Sequence, residues 1–95
     1  MADNLVIIPT YNECENIVNI INTVFSLELP FHVLVVDDGS PDGTANYVKQ
    51  LKSEKYPDSL FLIEREGKLG LGTAYLTGFD WGLERDYEYL FEIQF

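Results

Sequence analysis

The chain has 95 residues, 46% of them hydrophobic, and a formal net charge of −10. This length allows one small domain, and the hydrophobic share argues against an intrinsically disordered chain. All six basic residues lie at Lys49 or later, which argues against nucleic acid as a partner, so a bound phosphate would need backbone N–H groups, one or two local cations or a metal.

The first half of the chain contains two short apolar runs with a helical pattern between them. Residues 5–8 are rich in β-branched side chains and predict a buried strand that ends at Pro9. Five apolar residues at helical spacing then predict an amphipathic helix. Residues 33–36 predict a second buried strand, which stops at two adjacent aspartates. The helical stripe consists of Ile17, Ile20, Ile21, Val24 and Phe25.

The second half of the chain repeats this alternation. A turn at residues 40–44 leads into a helix with Ala45, Val48 and Leu51 on its inner face. Residues 60–63 and 89–93 predict a third and a fourth strand. The helix between them carries small residues, including glycines 78 and 82, which would let it lie close to a sheet.

Apolar strands that alternate with helices predict an α/β fold, a three-layer parallel sheet with helices on both faces. Residues 1–95 read as a single partial domain of this class. In such sheets ligands bind beyond the carboxyl ends of the strands, so the candidate site residues are those that follow each strand.

The first strand is followed by Pro9-Thr10-Tyr11-Asn12-Glu13. Tyr11 offers a ring for stacking, and Glu13 offers an acceptor for ribose hydroxyls or a base N–H group. A purely structural interpretation is equally compatible: Pro9 stops the strand, Thr10 or Asn12 caps the helix, and Glu13 favours the helix dipole.

The second strand ends in Asp37 and Asp38. Two carboxylates at the end of a buried strand are costly unless they meet a metal, a base edge or backbone donors. The Gly-Ser-Pro-Asp-Gly sequence that follows predicts a turn, in which Ser40 or Asp42 caps the next helix. One aspartate suffices for a turn, so we expect a functional role for the pair.

The third strand is followed by a segment that combines glycines with Arg65 and Lys68 before a helix. Backbone N–H groups at that helix start, with the two cations, predict an anion site. The alternative is a flexible loop that allows close packing. The glycine spacing fits neither a dinucleotide fingerprint, because Tyr75 stands at the third glycine position, nor a P-loop.

Three motifs, at residues 9–13, 36–44 and 68–75, occur in an order that resembles the family 2 inverting glycosyltransferases with a GT-A, Rossmann-like fold. More narrowly, the chain resembles the N-terminal part of the dolichol-phosphate or polyprenol-phosphate mannosyltransferases. The resemblance covers nearly all of the chain but less than half of a typical catalytic domain of that family.

The resemblance implies a donor, usually GDP-mannose or, in close relatives, UDP-glucose, and a polyprenyl phosphate acceptor. It also implies Mg or Mn at the diphosphate and a parent protein at the cytoplasmic face of a membrane. An acceptor phosphate is already ionised, so no strong general base is needed. The nucleotide-sugar-binding residues that the resemblance and the expected anion site together imply are Pro9, Tyr11, Glu13, Val36, Asp37, Asp38 and Lys68.

Two reactive residues are expected to be structural. Cys14 lies between Glu13 and Glu15, which would raise the thiol pKa, and a single cysteine forms no internal disulfide. His32, the one histidine, begins the second strand and is expected to be structural rather than catalytic.

The sequence departs from the family at its fourth strand. The family places an Asp-x-Asp metal motif there, whereas Gln94 falls at the first position and the chain ends before the second. We therefore expect this fragment to hold no metal strongly, to catalyse no transfer by itself, and to associate with itself through an exposed fourth strand.

Three other functions remain open. A family 2 transferase that uses a UDP-sugar to build a polysaccharide or glycan would carry the same first motifs. A nucleotide-binding module without chemistry would accommodate Gln94. A response-regulator-like domain is disfavoured, because its phosphoacceptor aspartate would end the third strand.

Overall fold

A computed structural model describes residues 3–67 and 70–93. Strands and helices alternate along the whole of this part of the chain, as the apolar runs predict. Their bounds are β1 (Asn4–Thr10), α1 (Ile17–Ser26), β2 (Phe31–Asp37), α2 (Thr44–Glu54), β3 (Leu60–Glu64), α3 (Leu71–Glu84) and β4 (Tyr89–Glu92).

The four strands form one parallel sheet in the order β3-β2-β1-β4. The chain adds β2 and β3 on one side of β1 and then returns past β1 to add β4 on the other side. This reversal places a topological switch point between β1 and β4, where doubly wound sheets form a ligand crevice. The predicted α/β fold is confirmed.

Side-chain alternation along the strands divides the core into two layers. Val6 and Ile8 of β1 pack with α1 and α2 on one face, while Leu5 and Ile7 pack with α3 on the other. The predicted inner faces of α1 and α2 are confirmed. Their buried residues are Ile17, Ile21 and Val24 of α1, and Thr44, Ala45, Val48 and Leu51 of α2.

The strand β1 continues past the predicted stop at Pro9 and pairs with β2 as far as Thr10, which corrects the expected boundary. Thr10 O accepts a hydrogen bond from Asp38 N, whereas Ile7 O accepts one from Ile93 N. Because successive residues of a strand direct their backbone N–H and C=O groups to opposite neighbours, the backbone nitrogen of Pro9 faces away from β2. A proline is tolerated there because its missing N–H lies beyond the last pair between β1 and β4, Ile7 with Glu92.

The helix α1 begins later than the first motif suggested. Asn16 is its N-cap, so neither Thr10 nor Asn12 caps it. Thr10 belongs to β1, and Asn12 has a left-handed φ of 56° within the connecting loop. Glu13 contributes its backbone carbonyl, which accepts hydrogen bonds from the N–H groups of Asn16 and Ile17.

Within residues 3–67 and 70–93, the helices are too short or too polar to cross a bilayer.

Candidate functional site at the carboxyl ends of the strands

The parallel register brings the ends of three strands into one row. Thr10 of β1 pairs with Asp37 of β2, and Asp37 pairs with Glu64 of β3. The loops that follow these strands are therefore neighbours, although 27 residues separate each strand end from the next along the chain. The predicted site residues of the first two motifs meet at this edge.

Asp37 is almost completely buried and is bonded within the protein. Its carboxylate accepts the hydroxyl hydrogens of Thr10 and Ser40, both at 2.6 Å, and the backbone N–H of Ser40 at 3.0 Å. These three donors offset the cost of burying the carboxylate. In the described chain, Asp37 joins β1 to the loop after β2.

Asp38 is also buried, but its partner, Arg65, lies on the face of the sheet that α3 covers, opposite the face of Asp37. Arg65 Nε lies 2.6 Å from Asp38 Oδ1, and the two side chains are only 10% and 8% exposed. Removal of either partner from such a buried charge pair would destabilise the fold, because the other charge would remain buried and unpaired. The adjacent aspartates thus take separate positions, with Asp37 facing the α2 side and Asp38 facing the α3 side.

The guanidinium of Arg65 connects three elements rather than facing outward to an anion. Beyond Asp38, it donates to the hydroxyls of Thr73 and Thr77 at 3.1 and 3.4 Å and to the carbonyl of Gly70 at 3.2 Å. These bonds join the ends of β2 and β3 to the start of α3. The expected anion site therefore cannot rely on Arg65 as a free cation.

The loop after β1 is bonded to side chains of the loop after β2. The N–H of Asn12 donates to Ser40 Oγ at 2.9 Å, and the N–H of Glu13 donates to Thr44 Oγ1 at 3.1 Å. The N–H of Cys14 donates to Asp42 Oδ2 at 3.1 Å.

The sequence of this second loop predicts a turn and a helix start, but not these hydrogen bonds to the first loop. The alternating oxygen-bearing side chains of Ser40, Asp42 and Thr44 were the available signal. Asp42 also accepts the N–H of Thr44, the first residue of α2, but the N-cap of this helix is Gly43, so neither Ser40 nor Asp42 takes the expected cap position.

The remaining predicted site residues differ in exposure. Tyr11 is 36% exposed and Glu13 is partly exposed, so both side chains can reach a ligand. Pro9 is partly buried at the same edge. Val36 is fully buried beneath α3, so its side chain cannot contact a nucleotide. The last predicted residue of the set, Lys68, lies outside the described residues, as does Gln94.

Hydrogen bonds of the second loop shift the pKa of the Asp42 carboxyl and of the Cys14 thiol. The hydrogen bond from Thr44 is the main reason that the pKa of Asp42 falls to about 2. A hydrogen bond to Asp42 is the main reason that the pKa of the Cys14 thiol is raised, with a smaller effect from Glu15. A raised thiol pKa disfavours the thiolate, in agreement with a structural Cys14.

The imidazole of His32 lies at the amino end of β2, opposite the candidate site. Its Nδ1 is 2.6 Å from the hydroxyl of Tyr87, and its ring packs edge-on against Phe61. Burial lowers the pKa of His32. These contacts agree with the predicted structural role.

Acidic and other potential ligands do not converge on a metal position in the described part of the chain. No three His, Cys, Asp or Glu side chains of residues 3–67 and 70–93 are grouped to hold a cation. The site shown here therefore consists of hydrogen-bonding loops, an exposed tyrosine and a buried charge pair, and it does not by itself fit Mg or Mn.

Comparison with known proteins agrees with this geometry. Residues 5–87 match the family model described as Glycosyl transferase family 2. The chain is 52% identical over 89 residues to polyprenol monophosphomannose synthase from Mycolicibacterium smegmatis. This match covers 94% of the present chain and 33% of that protein. It is 44% identical to undecaprenyl-phosphate mannosyltransferase from Micrococcus luteus, again over 94% of this chain and 36% of that protein.

Two solved structures share the fold. Mannosyltransferase PcManGT from Pyrobaculum calidifontis, in complex with GDP-Man and Mn2+, superposes with a TM-score of 0.76 at 32% identity, over 83% of this chain and 24% of that one. Residues 1–349 of S. aureus TarS give a TM-score of 0.75 at 26% identity, over 98% of this chain and 27% of that one.

The chain thus spans about a third of the length of the curated relatives it matches. Its motifs, its parallel sheet and its family match nevertheless agree, and they confirm both the resemblance seen in the sequence and its GT-A, Rossmann-like fold. The chain is a member of glycosyl transferase family 2.

Proposed function

We propose that this chain is the donor-binding part of a glycosyltransferase that moves mannose from GDP-mannose to a polyprenyl phosphate. The observation that carries the proposal is the meeting of two loops at the carboxyl edge of the sheet: the loop with Tyr11 and Glu13 is bonded directly to the loop that follows Asp38. The names of the two curated relatives support the sugar and the acceptor.

The described residues would bind and orient the nucleoside part of the donor. The exposed ring of Tyr11 suits stacking on a base, and the carboxylate of Glu13 suits a ribose hydroxyl. Asp38 is held in place by Arg65 at the end of β2, where it can accept an N–H group from a base edge.

The proposed reaction inverts the sugar carbon, because the acceptor oxygen attacks opposite the departing diphosphate. A phosphate acceptor is ionised near neutral pH, so positioning contributes more than a general base. A divalent cation, as implied by the family resemblance and present in the PcManGT structure, would stabilise the leaving diphosphate. The described residues do not supply a cluster of ligands for it.

Titration calorimetry of the chain with GDP, UDP, GDP-mannose and UDP-glucose, with and without Mn2+, tests the proposed donor. We expect the guanine nucleotides to bind more tightly than the uracil nucleotides. Preference for uracil would contradict the mannosyl assignment and favour a transferase that uses a UDP-sugar. Absence of all binding in a folded sample would contradict the donor site itself.

A matched pair of substitutions locates the site. Glu13→Gln should weaken GDP binding about tenfold, because the carboxylate acceptor for the ribose is lost. Glu15→Gln removes the same charge from an exposed residue of the same loop and should leave the affinity unchanged. Equal effects of the two variants would show that general charge, and not a specific contact, controls binding.

We propose that sugar transfer belongs to a longer protein at the cytoplasmic face of a membrane, and that the 95-residue chain alone is inactive. The described residues provide donor loops but no grouped acidic ligands for a cation. Incubation of the purified chain with labelled GDP-mannose, Mn2+ and a polyprenyl phosphate should give no labelled lipid. Formation of labelled mannosyl lipid would overturn this prediction.

A further inference from the structure

The loop that would contact the donor nucleotide depends on side chains of another loop for its shape. Three successive N–H groups of the first loop, from Asn12 to Cys14, donate to three side-chain oxygens of the second loop. The distances, 2.9 to 3.1 Å, are those of well-formed hydrogen bonds. These three bonds are spaced along the part of the loop that carries both Tyr11 and Glu13.

Thr44 is at the centre of this connection. Its side chain is fully buried, accepts the N–H of Glu13, and donates its own hydrogen to Asp42 Oδ1. Asp42 then accepts the N–H of Cys14 through its second oxygen. The bonds from the Glu13 and Cys14 amides are therefore linked, and loss of the Thr44 hydroxyl disturbs both of these contacts at once.

The loop geometry requires such support. Asn12 has a φ of 56°, in the left-handed region that non-glycine residues seldom adopt. Its N–H is fixed by Ser40, whose hydroxyl and N–H are in turn bonded to Asp37. Hydrogen bonds thus run without a break from the buried Asp37 at the end of β2 to the main chain of Asn12, the residue that follows Tyr11.

We propose that Ser40, Asp42 and Thr44 are positioning residues for the donor nucleotide. They fix the main chain of residues 11–14 and so direct the side chains of Tyr11 and Glu13, without contacting the nucleotide themselves. This inference rests on the proposed function, since it assigns a cause to the binding geometry of that same site.

Replacement of Thr44 by valine removes the hydroxyl while it keeps the volume of the buried side chain. In nucleotide-free protein, Thr44→Val should speed hydrogen exchange of the Glu13 amide at least tenfold, and it should weaken GDP binding about tenfold by calorimetry. Thr44→Ser restores the hydroxyl and should return both values to near those of the wild type. Thr23→Val makes the same change on the exposed face of α1 and should alter neither.

The two readouts separate this inference from the proposed function. Unchanged exchange of the Glu13 amide in folded Thr44→Val, or faster exchange with unchanged GDP affinity, would overturn the positioning role. If the wild type binds neither GDP nor UDP, the proposed function fails and the positioning role fails with it, while the exchange rates still report the contact between the loops. If Thr44→Val does not fold, Ser40→Ala replaces it, because Ser40 is only partly buried. Faster hydrogen exchange of the Asn12 amide together with weaker GDP binding would then support the positioning role, and no change in either value would overturn it.

Discussion

At the scale of single residues, neighbours in the sequence perform different tasks. Asp37 and Asp38 are adjacent and almost equally buried, yet Asp37 bonds Thr10 and Ser40 while Asp38 pairs with Arg65. The cause is the alternation of a strand end, which directs consecutive side chains to opposite faces. A functional role for Asp38 at a base edge remains a prediction, whereas Asp37 has a structural role in the described chain.

Gly39 provides a test of the close contact between the loops after β2 and β3. Its φ is +69°, and a Cβ there would lie 3.0 Å from Gly67 N and 3.2 Å from Arg65 O. Gly39→Ala should lower the free energy of unfolding by about 1–3 kcal/mol, measured by urea denaturation, because of backbone strain and contact with main-chain atoms. Gly72→Ala in α3, where an added Cβ would meet no more distant part of the chain within 4 Å, is the control and should be neutral or slightly stabilising.

His32 provides a test of burial through pH. Burial lowers its pKa below the ordinary 6.5 in the folded chain, so folding favours the neutral imidazole. The resulting stability is fully present above the unfolded pKa and is lost as the pH falls below 6.5 and through the folded value. Urea unfolding between pH 7.5 and 5 should show a shallower loss of stability for His32→Asn than for the wild type. Equal slopes for the two proteins would contradict a lowered pKa of the partly buried His32.

At the scale of elements, the third helix lies unusually close to the sheet, as its small residues predict. A Cβ on Gly78 would lie 2.6 Å from Ile7 Cγ2, and one on Gly82 would lie 2.8 Å from Leu90 Cδ2. The absence of side chains at these two positions allows α3 to cover Leu5 and Ile7 of the central strand.

The position of α3 can be tested with a double-mutant cycle. Gly78→Ala should destabilise the chain by about 1–3 kcal/mol in urea denaturation, because the added methyl group overlaps Ile7. The same change in an Ile7→Ala background should cost clearly less, since the atoms that it meets have been removed. Equal costs in both backgrounds would show that the effect of the substitution is not due to contact with Ile7.

At the scale of the whole molecule, β4 is an edge strand of the sheet that residues 3–67 and 70–93 form. It is the last strand in the order β3-β2-β1-β4, and Tyr89 and Phe91 are 58% and 45% exposed. An exposed apolar edge strand is a site for pairing with another chain. Self-association through this strand is a prediction that follows from both the sequence and the sheet order.

Sedimentation velocity over a range of concentrations tests this prediction. The wild type should form larger species as its concentration rises, and Phe91→Lys should shift the protein toward monomer, because a charged edge resists pairing. Leu76→Lys adds the same charge at a leucine on α3 that is 62% exposed, and it should have little effect. A wild type that stays monomeric throughout, or equal effects of both variants, would contradict association through β4.

The sequence by itself determined the class of fold and the edge where the site would lie. Residues 5–8, 33–36 and 60–63 form short apolar runs, which favour buried strands, and helical stripes alternate with them. Parallel strands place their carboxyl ends together, so the motifs could be assigned to one edge from local patterns alone.

Only the tertiary structure decided which partner each polar residue has. Arg65 pairs with Asp38 across 27 positions, and Glu13 bonds Thr44 across 31. Periodicity reports which face of an element is buried, but it carries no information about hydrogen bonds between distant loops. The sequence therefore predicted Arg65 as part of an anion site and a turn at residues 40–44, whereas packing of the loops made Arg65 an internal connection and Thr44 a support for the first motif.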